Sequence, residues 1–241
     1  MALLEARNLV KIYGQKCVVD DVTIQVDSRE VVGLLGPNGA GKTTTFSMII
    51  GRIPPSQGGV FFDGHDISGE PMYRRARLGM AYLAQEPSIF DGLTVEENLL
   101  AILEFHEPSR KRRMERLEEL LGKLDLTEHR KLRSSRLSGG LRRRLEITRA
   151  LITNPKLIML DEPFAGVDPL VVEDIQNIIR KLRDEGLGLL ITDHNVPATL
   201  RITDRAYIVQ QGTTLVAGTA REIADSELAR EKYLGHNFRL N

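Results

Sequence analysis

Five short stretches place phosphate-, cation- and proton-handling side chains at the ends of apolar runs. Gly36-Pro37-Asn38-Gly39-Ala40-Gly41-Lys42-Thr43-Thr44 carries glycine, four residues, then Gly-Lys-Thr. Glycines at that spacing let successive backbone N–H groups curl inward on phosphate oxygens, and a helix starting at Lys42 adds the positive end of its dipole. Lys42 is then a mobile cation for β- and γ-phosphates, and Thr43 offers a hydroxyl to Mg²⁺. A second stretch, Leu157-Ile158-Met159-Leu160-Asp161-Glu162, is four apolar residues ending in two carboxylates. A buried strand there would hold Asp161 at its carboxyl edge to fix Mg²⁺, and place Glu162 beyond the terminal phosphate to orient or deprotonate water. Leu137-Ser138-Gly139-Gly140 precedes an arginine-rich helix. Ser138 can cap that helix, and the same hydroxyl and glycines make an anion site. Thr192-Asp193-His194 follows a further apolar run, which sets His194 at a carboxyl edge near a γ-phosphate. Gln85 ends the run from 80 to 84, where its amide oxygen can ligate Mg²⁺ and hold the attacking water. Tyr13 can stack on a base, although strand packing is the plainer use of such a residue.

These side chains need a scaffold that alternates strand and helix. Residues 9–13, 18–26, 31–35 and 60–62 read as strands, and a helix is expected from 42 to about 50. From 96 to about 151 strand signals vanish. Leu99, Leu100 and Leu103, then Leu117, Leu120, Leu121 and Leu124, recur at helical spacing, which predicts an inserted helical segment. The α/β pattern resumes with strands at 157–160 and 189–192, a helix over 171–182 stopping near Gly186, and a closing hairpin over 206–217.

Composition narrows the classes. The chain has 241 residues, 33 basic and 33 acidic, so its net charge is zero and no nucleic-acid partner is expected. Residues 110–149 hold 14 basic and 6 acidic side chains, net +8, which reads as a solvated helical surface balanced by acids elsewhere. The single cysteine, Cys17, excludes an intramolecular disulfide and suits a reducing compartment. No apolar run approaches the roughly 18 residues of a membrane span, and Glu5 and Arg7 break any signal-peptide core. The expectation is a cytosolic protein that reaches a membrane only through a partner.

The order and spacing of the motifs resemble the ATP-binding subunits of ABC transporters, from Tyr13 to at least Gly218. The resemblance implies an α/β fold: a P-loop NTPase core with a mainly parallel sheet, an N-terminal antiparallel β subdomain and an inserted α-helical subdomain. It divides the chain into a core over 1–85 and 153–218, a helical subdomain over 86–152 and a C-terminal extension over 219–241. It implies ATP and Mg²⁺ as ligands, with Tyr13 as the adenine-stacking aromatic, Gly36 to Thr44 as the phosphate loop, and Ser138, Gly139 and Gly140 as the signature. Thr43, Gln85 and Asp161 would serve the metal, and Glu162, His194 and Gln85 the hydrolysis. Residues 165–168 match the D-loop. It further implies a head-to-tail homodimer that clamps each ATP between one phosphate loop and the other copy's Ser138 and Gly140. Integral membrane subunits would seat in a groove near Phe90, on the cytoplasmic face of the inner membrane. One departure is Leu141, where the family usually has Gln or Glu. Within the family the chain is most similar to the ATPases of lipopolysaccharide export, on 32–46, 85–90, 160–169, 190–196 and the closing 233–240. ATPases of branched-chain amino acid importers, and soluble non-transport members, are the alternatives.

Overall fold

The computed structural model describes residues 2–236 and 238–240. Met1, Asn237 and Asn241, which fall in the first and last expected segments, lie outside the described residues. Two sheets and a helical insertion make up the architecture. Strands β1 (Leu4–Tyr13), β2 (Lys16–Val26), β4 (Gln57–Phe62) and β5 (His65–Asp66) form a four-stranded antiparallel sheet in the order β2-β1-β4-β5. Between them, β3 (Val31–Leu35) departs into the second sheet, and all five of its residues are buried. The sequence pattern predicts a first strand from residue 9. In the structure it begins at Leu4, because Leu4 and Ala6 pack inward before the register shifts past Asn8, which sits at φ +49°. That irregularity breaks the two-residue alternation on which the reading rests.

Helix α1 (Lys42–Ile49) follows the phosphate loop, and α2 (Met72–Leu78) leads into β6 (Met80–Leu83). Helix α2 was not expected from the sequence, since its buried residue is Arg75 rather than an apolar stripe. The inserted segment holds α3 (Val95–His106), α4 (Arg110–Lys123) and α5 (Gly139–Ala150). A capping box between Thr94 and Glu97 fixes the start of α3. Leu99, Leu103, Leu117, Leu120, Leu121 and Leu124 are all buried in one cluster, as their spacing predicts. The basic residues of 110–149 pair with acids inside that stretch, as Arg116 with Glu119, Arg143 with Glu146 and Arg144 with Asp125, and equally with acids outside it. Arg130 pairs with Glu96, Arg113 with Glu104, Arg144 with Asp174 and Lys123 with Glu185.

The remaining elements close the second sheet. They are β7 (Leu157–Asp161), α6 (Pro169–Asp184), β8 (Gly188–Thr192), α7 (Val196–Leu200), β9 (Arg205–Gln210) and β10 (Thr213–Thr219). The order is β10-β9-β3-β8-β7-β6, parallel throughout except for the β9–β10 hairpin. The near-continuous apolar runs of β3, β7 and β8 follow from burial on both faces. Two short helices, α8 (Ala220–Asp225) and α9 (Glu227–Ala229), bury Ile223 and Ala229 against Leu35 and Ile208. Among the described residues no helix is long and apolar enough to cross a membrane.

Candidate functional site

The parallel strands β3, β8 and β7 lie side by side, so the loops after their carboxyl ends meet at one edge. The loop after β3 needs its glycines. At Gly36, φ is +148° and a Cβ would stand 2.0 Å from the Val209 carbonyl oxygen. At Gly41, φ is +102° and a Cβ would stand 2.8 Å from the Val18 carbonyl oxygen. The loop is tied to the β9–β10 turn, since Gly212 N donates to the Ala40 carbonyl at 3.0 Å. Helix α1 then starts with no side-chain cap, which leaves its first N–H groups for a ligand. Lys42 Nζ donates to the Gly36 and Pro37 carbonyls at 2.7 and 2.9 Å. Burial lowers the Lys42 pKa, while the Glu162 and Asp161 carboxylates oppose that shift. A cavity of about 160 Å³ runs along residues 38–44 and reaches Val18, Glu162 and Thr192. The hydroxyl of Thr192 is buried there without a hydrogen-bond partner.

The two carboxylates differ in setting. Asp161 ends β7, and Tyr82 donates its hydroxyl to Asp161 Oδ2 at 3.0 Å. Burial raises the Asp161 pKa despite that bond, and the Tyr82 hydroxyl is itself pushed up to about 12, chiefly by burial. Glu162 sits at φ +46°, a left-handed conformation that non-glycine residues rarely hold, and its N–H donates to the Thr192 carbonyl at 2.7 Å. Strain of this kind concentrates at functional sites. Here it turns the Glu162 side chain toward two partners. Gln85 Nε2 donates to Glu162 Oε2 at 2.9 Å, and His194 Nδ1 stands 3.3 Å from the same oxygen. The structure thus brings Gln85, Glu162 and His194 together, with Asp161 and Lys42 adjacent. It also shows a residue to which the sequence reading gave no role. Asp193 is fully buried and accepts from Phe164 N at 2.8 Å and Asn195 N at 2.7 Å. It fastens the loop carrying Glu162 to the loop carrying His194, and burial raises its pKa. The sequence signal for it was a charge directly after a buried strand.

The signature residues lie elsewhere. Ser138 caps α5, accepting from Leu141 N at 3.4 Å. Neither Ser138 nor Gly140 lines the cavity along the phosphate loop. Gly139 instead lines a second cavity of about 190 Å³ with Gln85, Arg143, Glu146, Glu162 and residues 165–167. Leu141 is partly buried against the helical core, which gives that side chain an apolar contact. Tyr13 is half-exposed at the end of β1, with Lys11 Nζ 5.2 Å from its ring centroid, and it does not line the phosphate-loop cavity.

Phe90 is 46% exposed, so its ring is not tucked into the helical core. Its backbone is held firmly, because buried Asn98 accepts from Phe90 N at 2.8 Å and donates to its carbonyl at 3.0 Å. The Arg149 guanidinium stacks on the ring at 4.8 Å. Arg149 also lines a third cavity, of about 220 Å³, with Met72, Ala76, Tyr82, Ala150 and Met159. The sequence marks Arg149 only as one arginine of an arginine-rich helix and does not mark Asn98, since a residue on a helix gives no signal of a partner distant in the chain.

Known proteins resemble this chain in sequence and in fold. Residues 19–165 match the ABC transporter family. A probable ABC transporter ATP-binding protein of Azorhizobium caulinodans is 55% identical, over 98% of this chain and 84% of that protein. The lipopolysaccharide export system ATP-binding protein LptB of Escherichia coli strain K12 is 52% identical over 100% of both chains. The crystal structure of an ABC transporter's ATP-binding cassette in its ADP conformation superposes with a TM-score of 0.88 at 31% identity, covering 98% of this chain and 99% of that one. The chain belongs to the ABC transporter family, as a nucleotide-binding cassette that hydrolyses ATP.

Proposed function

We propose that this cassette powers the extraction and export of lipopolysaccharide from the inner membrane, working from the cytoplasmic face through integral membrane subunits. The observation that carries the substrate is the likeness to LptB over the full length of both chains. The geometry above supports the following residue roles. The phosphate loop and Lys42 hold the β- and γ-phosphates, and the exposed Tyr13 ring is free to stack on adenine. Thr43, Asp161 and Gln85 suit Mg²⁺, because hydroxyl, carboxylate and amide oxygens are the donors a hard cation takes. The amide nitrogen of Gln85 faces Glu162, which leaves its oxygen for the cation. When bound, Mg²⁺ supplies charge neutralisation to the phosphates. Glu162 accepts a proton from the attacking water, and Gln85 and His194 hold it and that water in line.

The dimer reading rests on the same geometry. The signature lines no part of the phosphate-loop cavity, which supports a second, head-to-tail copy as the source of its contact with a γ-phosphate. Residues 1–85 and 153–218 then act as the nucleotide-binding core, 86–152 as the helical arm and 219–241 as an extension. The membrane subunit seats on Phe90 and the adjoining cavity beside Arg149. Affinity purification of the full chain from solubilised membranes tests this reading. Integral subunits that carry bound lipopolysaccharide are the expected companions. Recovery of amino acid permease subunits, or of the cassette free of any integral protein, contradicts it.

A further inference from the structure

Arg75 is the largest fully buried side chain among the described residues, with 1% of its surface exposed, and it faces backbone rather than a carboxylate. Its Nη1 donates to the carbonyls of Met48 and Ile49 at 2.9 and 2.6 Å. Its Nε donates to Glu70 O at 2.8 Å and its Nη2 to Ser68 O at 3.1 Å. Met48 and Ile49 form the C-terminal turn of α1, the helix whose N-terminal turn carries Lys42 and Thr43. A cation at that end complements the helix dipole and adds a charged donor to the last-turn carbonyls, of which the Met48 oxygen also accepts from Gly51 N at 3.2 Å. The chain makes room for it. Gly51 sits at φ +79°, and a Cβ there would stand 2.6 Å from Arg75 Nε. Burial pushes the guanidinium down to about 10, which leaves it charged at neutral pH.

The other side of this residue faces the cavity beside Arg149. Arg75, Met72 and Ala76, all on α2, line that cavity together with Ile50, which directly follows α1. We infer that Arg75 is a positioning residue that couples occupancy of this cavity to nucleotide affinity, by fastening the cavity-lining helix α2 to the far end of the phosphate-loop helix α1. A body entering the cavity displaces α2, and the guanidinium carries that displacement to α1 and so to Lys42 and Thr43. The inference rests on the membrane-subunit reading above only for the identity of the natural occupant.

The test fills the cavity chemically. Cys17 is the sole cysteine and is exposed, so a Cys17→Ser background frees the thiol chemistry for one new site. Ala76→Cys, at an exposed cavity position, is labelled with N-ethylmaleimide. Calorimetry then measures Mg²⁺-ADP affinity before and after labelling, with Arg75 intact and with Arg75→Met. The expected result is a shift of at least about fivefold on labelling when Arg75 is present, the lower end of ordinary coupling between sites, and less than about twofold with Arg75→Met. Equal shifts in the two backgrounds overturn the inference, as does no shift in either. Should Arg75→Met fail to fold, Arg75→Lys replaces it. Its ammonium reaches fewer carbonyls, and an undiminished shift in that variant overturns the inference as well. Co-purification of the labelled protein with membrane subunits is scored separately. If they still bind, the cavity is not their seat, and the coupling stands or falls on the calorimetry alone.

Discussion

Glu162→Gln isolates one atom's chemistry. The amide keeps the size of the carboxylate and can still accept from Gln85, whose nitrogen stands 2.9 Å from Glu162 Oε2. It cannot take a proton from water. A lost general base lowers turnover by about 10²–10⁴-fold, or roughly 3–5 kcal/mol of barrier at 1.36 kcal/mol per factor of ten. Folding should barely change. The charge lost is the partner of His194, which is 62% exposed in a pair of 3.3 Å, and such solvated pairs contribute about 1 kcal/mol or less. The strained φ of +46° is no worse for Gln than for Glu. Three measurements on one preparation separate the effects: phosphate release, calorimetric ATP affinity and a thermal melt. The expected outcome is a large loss of turnover with ATP affinity retained, a closed dimer accumulating in ATP, and a melt within a few degrees of the parent. Turnover within about threefold of the parent would refute the assignment of Glu162 as the base.

Lys42→Ala should abolish Mg²⁺-ATP binding by calorimetry, since the phosphates lose the cation nearest their cavity. Because burial holds the Lys42 pKa below 10.5, the cation is lost as pH rises through that lowered value, so nucleotide affinity should begin to fall at a lower pH than an ordinary lysine dictates. Mixing Lys42→Ala with Ser138→Arg chains should restore part of the ATP binding, because the mixed dimer keeps one site with neither defect; no rescue despite demonstrated heterodimers counts against the head-to-tail arrangement. Phe90→Ala should leave the melt and the partner-free ATPase nearly unchanged, costing about 1 kcal/mol or less for the Arg149 stacking contact, yet weaken association with membrane subunits by about 2 kcal/mol or more. A loss of about 3–5 kcal/mol of stability with the partner still bound would instead mark the ring as core.

What the sequence revealed follows from the range of its signals. The phosphate loop was legible because glycine spacing, the buried strand before it and the helix after it are all local. Asp161, Glu162 and His194 were legible because charges directly after apolar runs fall at strand ends. The helical insertion was legible from leucine spacing alone. The first half of β1 was hidden by the irregularity at Asn8, which moves the buried face out of step. Helix α2 was hidden because the group it buries is a guanidinium, and no pattern of apolar residues reports that. The bond from Phe164 N to Asp193, the stacking of Arg149 on Phe90 and the hold of Arg75 on the Met48 and Ile49 carbonyls join residues distant in sequence, so only the folded chain displays them.

The most direct test of the central claim is transport itself. The full chain and its co-purified membrane subunits are placed in proteoliposomes loaded with lipopolysaccharide, and release to an acceptor is followed with and without ATP. The expected result is release that requires ATP and Mg²⁺ and disappears with Glu162→Gln. ATP consumed at the usual rate with lipopolysaccharide left in place, while a branched-chain amino acid crosses the membrane, would contradict it.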